Sequence, residues 1–385
     1  MILRIILITD TIGSIPLHSH VIHMKPLHTT RATRPALGLA ATALTVLCAA
    51  LGSGPAAAQQ PVLNLYSARH YSTDEALYTN FTKATGIRIQ RVDADDAGIL
   101  SRLATEGSSS PADVVLLVDA ARLWKAQVDG LFLPVKSPAL EAAIPAHLRA
   151  KAETDGTSAW FGFSTRARVV VYDKLKVKPE DVDTYEELGE PKNKGRLCTR
   201  SGSHPYNLSL FSSMLEHIGP EKTQAWLKGL VANMARAPKG GDTDQIRAVA
   251  SGECSVAITN SYYLARLMRS NKPDDKALME RVGVVFPNQA TWGTHVNIAG
   301  GAVARHSKNK DAAVKFLEYL ASPEAQQYFA NGNNEWPVAK GVSFDNPALK
   351  AMTGGATFKS EVIPTSVVGM NQVKVQQMLD RVGFR

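Results

Sequence analysis

The chain has 385 residues, 44% hydrophobic and 20% charged, with a formal net charge of +8. This is an ordinary globular composition, and the length suits two domains of common size. The bases are dispersed, with neither a basic run nor interleaved aromatics, so nucleic acid is not an expected partner. No stretch in the body of the chain is long and apolar enough to span a bilayer, which excludes helical membrane insertion of the mature chain.

The first segment reads as an export signal. Lys25, Arg31 and Arg34 precede an apolar stretch, 35–51, that Gly52-Ser53-Gly54-Pro55 breaks and Ala56-Ala57-Ala58 follows. A charged region, an apolar core and a small-residue exit make a cleavable secretory signal peptide over 1–58. Met24 is a better start than Met1, because from Met1 a second apolar run and Asp10 would precede the charged region. Cys48 follows Leu47, too large a residue for a lipoprotein site. Export leaves Cys198 and Cys254, which are expected to pair as a disulfide in an oxidising compartment.

The body of the chain alternates strands and helices. The run 62–67 reads as a strand, and Ser72-Thr73-Asp74 offers helix caps before an amphipathic run, 75–83. A strand at 87–92 and a helix at 98–106 follow. The unbroken apolar run 112–118 suits a parallel strand covered on both faces. Further on, 169–172 starts another apolar strand, 185–188 a short helix, and 195–199 a strand running into Arg200-Ser201-Gly202-Ser203-His204-Pro205-Tyr206-Asn207. Helices are expected at 208–217, 221–230 and 244–251, and then an apolar strand at 254–258. That strand hands over to a helix through Thr259-Asn260-Ser261-Tyr262-Tyr263. Two return strands, 284–287 and 296–303, and an amphipathic helix, 312–321, come next. Ser322-Pro323-Glu324 caps one more helix. Alternation at this spacing gives right-handed βαβ units and two doubly wound α/β domains. Three polar, aromatic-bearing loops (66–71, 201–206 and 259–263) each follow a strand and precede a helix, the place where α/β sheets bind ligands.

Candidate chemistries narrow quickly. There is no Gly-x-Ser-x-Gly elbow, although Ser201 and Ser203 beside His204 leave an exported serine hydrolase as a distant alternative. Walker A and Gly-x-Gly-x-x-Gly loops are absent, and so are His-x-x-x-His and Cys-x-x-Cys spacings. An oxygen-rich aromatic site remains. A phenolate is a hard donor, and with a free pKa near ~10 its proton yields at neutral pH only to a strongly acidic metal such as ferric iron. An aromatic cleft for a small organic solute, of polyamine or thiamine type, is the other reading of the same residues.

Three groups of residues, in this order, resemble the periplasmic ferric-iron-binding proteins of ABC transporters. They are Tyr66-Ser67-Ala68-Arg69-His70-Tyr71 with Thr73 to Tyr78, Arg200-Ser201-Gly202-Ser203 with Tyr206-Asn207, and Gly252-Glu253-Cys254 with Asn260 and Tyr262-Tyr263. Trp292 to Ile298 and Ser322 to Gln326 look like this family too, so the resemblance covers the whole mature chain. It implies a class II two-lobed binding-protein fold with a hinge. One lobe would comprise 59–163 and 293–345, the other 164–292 and 346–385. It also implies a periplasmic, non-enzymatic, monomeric carrier that grips Fe³⁺ between the lobes and delivers it to an inner-membrane permease. Tyr262 and Tyr263 match the family's paired iron-binding tyrosines, and His70 its histidine ligand. Tyr71 and Tyr206 match the extra tyrosines of the tyrosine-rich branch. Val118 stands where the anion-using branch has a liganding glutamate, and Asp242 where it has an anion-binding asparagine, which puts a bound carbonate or phosphate in doubt. Arg69, Arg200 and Arg266 are candidate counter-charges to the phenolates. Tyr66 and Tyr78 are expected to pack in the first lobe rather than bind metal.

Overall fold

A computed structural model describes residues 60–69 and 71–385. The signal peptide, the start at Met24 and the candidate ligand His70 lie outside the described residues. Among these, no helix is long and apolar enough to cross a membrane.

The chain opens with strand β1 (Val62–Ser67), helix α1 (Asp74–Thr85), β2 (Arg88–Asp93), α2 (Asp96–Glu106), β3 (Val114–Leu117) and α3 (Ala120–Val128). A short β4 (Phe132–Leu133) and α4 (Pro138–Ala143) lead into the long β5 (Phe161–Asp173). Next come β6 (Leu197–Cys198), α5 (Pro205–Asn233), α6 (Asp242–Ser251), β7 (Val256–Asn260), α7 (Ser261–Met268), α8 (Pro273–Arg281) and β8 (Val282–Val285). The chain returns through β9 (Val296–Ala304) to α9 (Lys310–Leu320), α10 (Pro323–Asn333) and β10 (Trp336–Pro337), and ends with α11 (Pro347–Met352) and α12 (Thr365–Val382).

The expected α/β alternation holds, and the sheet is mixed rather than parallel throughout. The main strand order is β2-β1-β3-β9-β5-β7-β6. β1 is parallel to β2 and β3, as right-handed crossovers through α1 and α2 require. β3 then pairs antiparallel with β9, and β9 antiparallel with β5. The apolar run expected as an all-parallel strand is therefore parallel on one side only.

β5 is the element that ties the molecule together. Its first half pairs with β9 (Phe161↔Gly301 to Ala167↔Val296), and its second half pairs with β7 (Arg168↔Asn260 to Tyr172↔Val256). Phe161 and Phe163 belong to a core built on β1, β3, α1, α2, α9 and α10. Val169, Val170 and Val171 belong to two adjoining cores built on α5, α6, α7, β7 and α12. This is the two-lobed class II arrangement, with β5 and β9 running from one lobe into the other. The strand expected at 169–172 is only its second half.

The two helices expected at 208–217 and 221–230 form one packed unit, α5, broken where the pattern breaks. Gly219 takes a left-handed φ of 78° and Pro220 follows it, removing an amide and restarting the helix. α12 packs on α5 and, at Gly369, on Trp124 of α3, where an added Cβ would sit 2.1 Å from the indole. Cys198 and Cys254 are joined in a disulfide, with Cα atoms 5.9 Å apart.

Candidate metal site

Three loops deliver the site. β1 ends at Ser67, and the chain turns through Arg69 to Tyr71 before α1. β6 ends at Cys198, and the loop after it enters α5 at Pro205, with His204 as the N-cap whose Nδ1 accepts the Tyr206 N–H. β7 ends at Asn260, the N-cap of α7, so Tyr262 and Tyr263 stand in that helix's first turn. At a helix start, adjacent side chains are about 100° apart and can reach the same space.

The tyrosines converge. The Tyr206 and Tyr262 hydroxyls are 3.3 Å apart. The Tyr71 ring meets Tyr262 edge-on with centroids 5.5 Å apart, and Tyr262 and Tyr263 lie at 4.1 Å. Tyr206 and Tyr262 are buried, while Tyr71 and Tyr263 are partly exposed. Tyr66 and Tyr78 do pack away from this group: Tyr66 donates to Glu106, and Tyr78 lies against Phe316.

The charges around the phenols are ordered by two networks. Glu335, fully buried, accepts from the Tyr71 hydroxyl at 2.7 Å and from Ser164 at 2.7 Å, and it pairs with Arg69 at 3.3 Å and Arg166 at 3.6 Å. Arg69 also holds Asp74 at 2.6 Å. In the second network, Arg168 donates to Asp242 and Asn207, each at 2.6 Å, and to Asn260 at 3.1 Å. Asp242 also receives the Asn260 backbone N–H and Arg200. This second network clamps the Tyr206 and Tyr262 loops together from beneath.

Arg166 lies beside the phenols and is a residue that the sequence pattern does not single out. It is 1% exposed, its guanidinium lies 5.9 Å from the Tyr206 ring centre, and none of its nitrogens has a hydrogen-bond partner among the described residues. A buried, under-bonded guanidinium is costly unless negative charge arrives beside it. Of the arginines the sequence suggested, Arg69 and Arg200 are engaged with carboxylates. Arg266 is exposed but lies over the Tyr263 and Tyr262 rings at 5.2 and 5.9 Å. The available signal was Arg166 and Arg168 two apart in an apolar strand, which puts both on one face. Glu335 carried no local signal: it lies 266 residues from Arg69 in the chain.

Burial raises the phenols' pKa. Tyr71 and Tyr262 are pushed well above the usual tyrosine value, Tyr71 by burial and then by Glu335, and Tyr262 by burial and the neighbouring phenols. Tyr206 is raised to about 12, mainly by burial, with Arg166 pulling the other way. His204 is depressed to about 3 by burial and by Arg200 and Arg168, and its Nδ1 is used by the backbone. It is therefore poorly placed to activate Ser201 or Ser203. No cluster of three His, Cys, Asp or Glu side chains suited to a metal occurs among the described residues.

The sequence profile of the bacterial extracellular solute-binding proteins matches residues 76–354. Iron uptake protein A1 of Synechocystis sp. is 46% identical over 85% of this chain and 88% of its own. Iron uptake protein A2 of the same organism is 43% identical over 93% of this chain and 100% of its own. The solved structure of the Trichodesmium protein IdiA (FutA), in complex with iron and citrate ligands, superposes with a TM-score of 0.78 at 47% identity, covering 84% of this chain and all of that one.

Proposed function

The chain belongs to the bacterial extracellular solute-binding protein family, and we propose that it captures ferric iron between its lobes and hands it to an inner-membrane ABC permease. The observation that carries this reading is the convergence of Tyr71, Tyr206, Tyr262 and Tyr263 from three loops beside a buried, under-bonded Arg166. Four phenolates bring four negative charges against three on the metal, and Arg166 balances the remainder. His70, next to Tyr71, is the proposed fifth ligand.

Each part has a stated role. The phenols are hard donors that bind only after losing their protons, which a ferric ion can displace. Tyr71 comes from one proposed lobe (59–163 with 293–345), and Tyr206, Tyr262 and Tyr263 from the other (164–292 with 346–385). Metal is fully coordinated only when the lobes are closed, and so favours that state. Closure would present the permease with a surface that the empty carrier lacks. Asp242, negative and already holding Arg168, Arg200 and the Asn260 amide, makes a poor seat for a synergistic carbonate or phosphate. The carrier acts in the periplasm as a monomer, without enzymatic activity.

The relatives named for iron uptake favour iron over a polyamine or thiamine-type solute. Equilibrium titration separates the two. Ferric iron supplied as its nitrilotriacetate complex should transfer to the protein stoichiometrically, while thiamine and spermidine should neither bind nor compete. Saturable binding of either organic solute, with no transfer of iron, would replace this reading.

A further inference from the structure

Behind the hinge strands lies a cavity of about 570 Å³, within the size range of small-molecule sites. Strand alternation fixes where it stands. Ser164 and Arg166 of β5 face the phenol side, through the Ser164–Glu335 bond and the approach of Arg166 to Tyr206. Thr165 between them faces the opposite side and lines the cavity. Thr165 is paired across the sheet with Ile298 and with Trp336, and both line the same cavity. Glu335, one residue before Trp336, reaches the Tyr71 phenol. From Phe161 to Val171, Thr165 alone is not buried, as befits a side chain opening on unfilled space. One strand therefore carries a metal-site arginine on one face and a cavity wall on the other.

The walls state what the cavity would accept. Trp336 and Phe358 meet edge-on at 5.0 Å and offer aromatic surface. The buried charged groups are already matched. Glu361 is bonded to Ser213, His217 and His295, and Lys350 is paired with Asp345 at 2.8 Å, while His147 is solvent-exposed. A charged ligand would lose its hydration without finding an open partner. The Thr165 and Ser343 hydroxyls can serve one neutral polar group.

We propose that this cavity is a second binding site, for an uncharged aromatic small molecule bearing a hydroxyl or carbonyl, and that filling it shifts the iron affinity through β5. Leu148 lines it from one lobe and Leu349 from the other, so an occupant binds open and closed states unequally. The effect must then be reciprocal: iron changes the occupant's affinity by the same factor. The coupling rests on the iron reading; the site does not, because binding of a probe to iron-free protein reads it alone.

The probe is 2-naphthalenemethanol, with 2-naphthoate as the charged counterpart, titrated by calorimetry into iron-free and ferric protein. The neutral probe should bind one site with a Kd below about 1 mM, at least tenfold tighter than the carboxylate. T165F, and independently S343W on an exposed loop, should abolish it. Saturating probe should change the iron affinity by about fivefold or more. No binding of the neutral probe by wild type, or unchanged binding by both folded variants, overturns the site. Equal binding of the carboxylate overturns the ligand class, and binding without any change in iron affinity overturns the coupling.

Discussion

Replacing Arg166 by methionine should weaken ferric binding by on the order of 100-fold. The guanidinium lies 5.9 Å from the Tyr206 ring centre. At an effective dielectric constant of ~20, a unit positive charge ~6 Å from the single negative charge of a tetraphenolate ferric site contributes about 3 kcal/mol, which corresponds to roughly two decades in affinity. Arg166 also lowers the pKa of Tyr71, Tyr206 and Tyr262. Without it the phenols hold their protons more tightly, and the pH at which half the iron is released moves upward. R166K keeps the charge on a shorter reach and should recover part of the loss. Because Glu335 would keep only Arg69, the double variant R166M/E335Q separates any folding defect due to a stranded carboxylate from the effect on the metal. The assay is competition against a ferric chelator at fixed pH, with thermal melts as the folding control. R166M binding iron within about threefold of wild type would refute the assignment of Arg166 as the balancing charge.

Acid should release iron: with the phenols' free-state pKa raised by burial, each ligation expels a proton, and apparent affinity should drop roughly tenfold per phenol for each unit of pH lost, read by chelator competition between pH 8 and 5. Glu361, which burial alone would raise, is brought down to about 2 by His295 and by bonds from His217, His295 and Ser213. A depressed carboxyl stabilises the fold above its unfolded value and loses that stabilisation as pH falls from about 4.5 toward 2, so E361Q should cost up to about 3 kcal/mol at pH 7 and roughly half as much at pH 3 by urea denaturation. Reducing Cys198–Cys254, which closes a 56-residue separation, should lower stability by about 2–4 kcal/mol, and thiol titration of the denatured, unreduced protein should find none of the two.

Much of the site is local, and that part could be read from the chain. Each of the three loops announces itself by an apolar run ending in a cap residue, and a tyrosine placed there has little room to point elsewhere. The break at Gly219-Pro220 is equally local. β5 was harder, because Ser164, Thr165, Arg166 and Arg168 interrupt the apolar pattern where the strand leaves one core for the other. Ser164 and Arg166 face the phenols and Thr165 faces the cavity behind them, and a strand that serves a site on one face and a cavity on the other shows no single period. Glu335 could not be placed at all from sequence, since its partners Arg69, Tyr71, Ser164 and Arg166 are brought to it only by the assembled fold. The order of the sheet followed the same logic: alternation predicted parallel neighbours, but the returning strand β9 inserts antiparallel between β3 and β5.

The central claim is that phenolates from both lobes hold the metal, and visible absorption during ferric titration tests it most directly. Wild-type protein should develop a phenolate-to-iron charge-transfer band that saturates at one equivalent. Tyr262→Phe combined with Tyr263→Phe should lose the band and nearly all binding, and Tyr71→Phe should weaken it from the opposite lobe. A double variant that keeps native affinity, or a ferric complex with no such band, would contradict the account and move the site elsewhere.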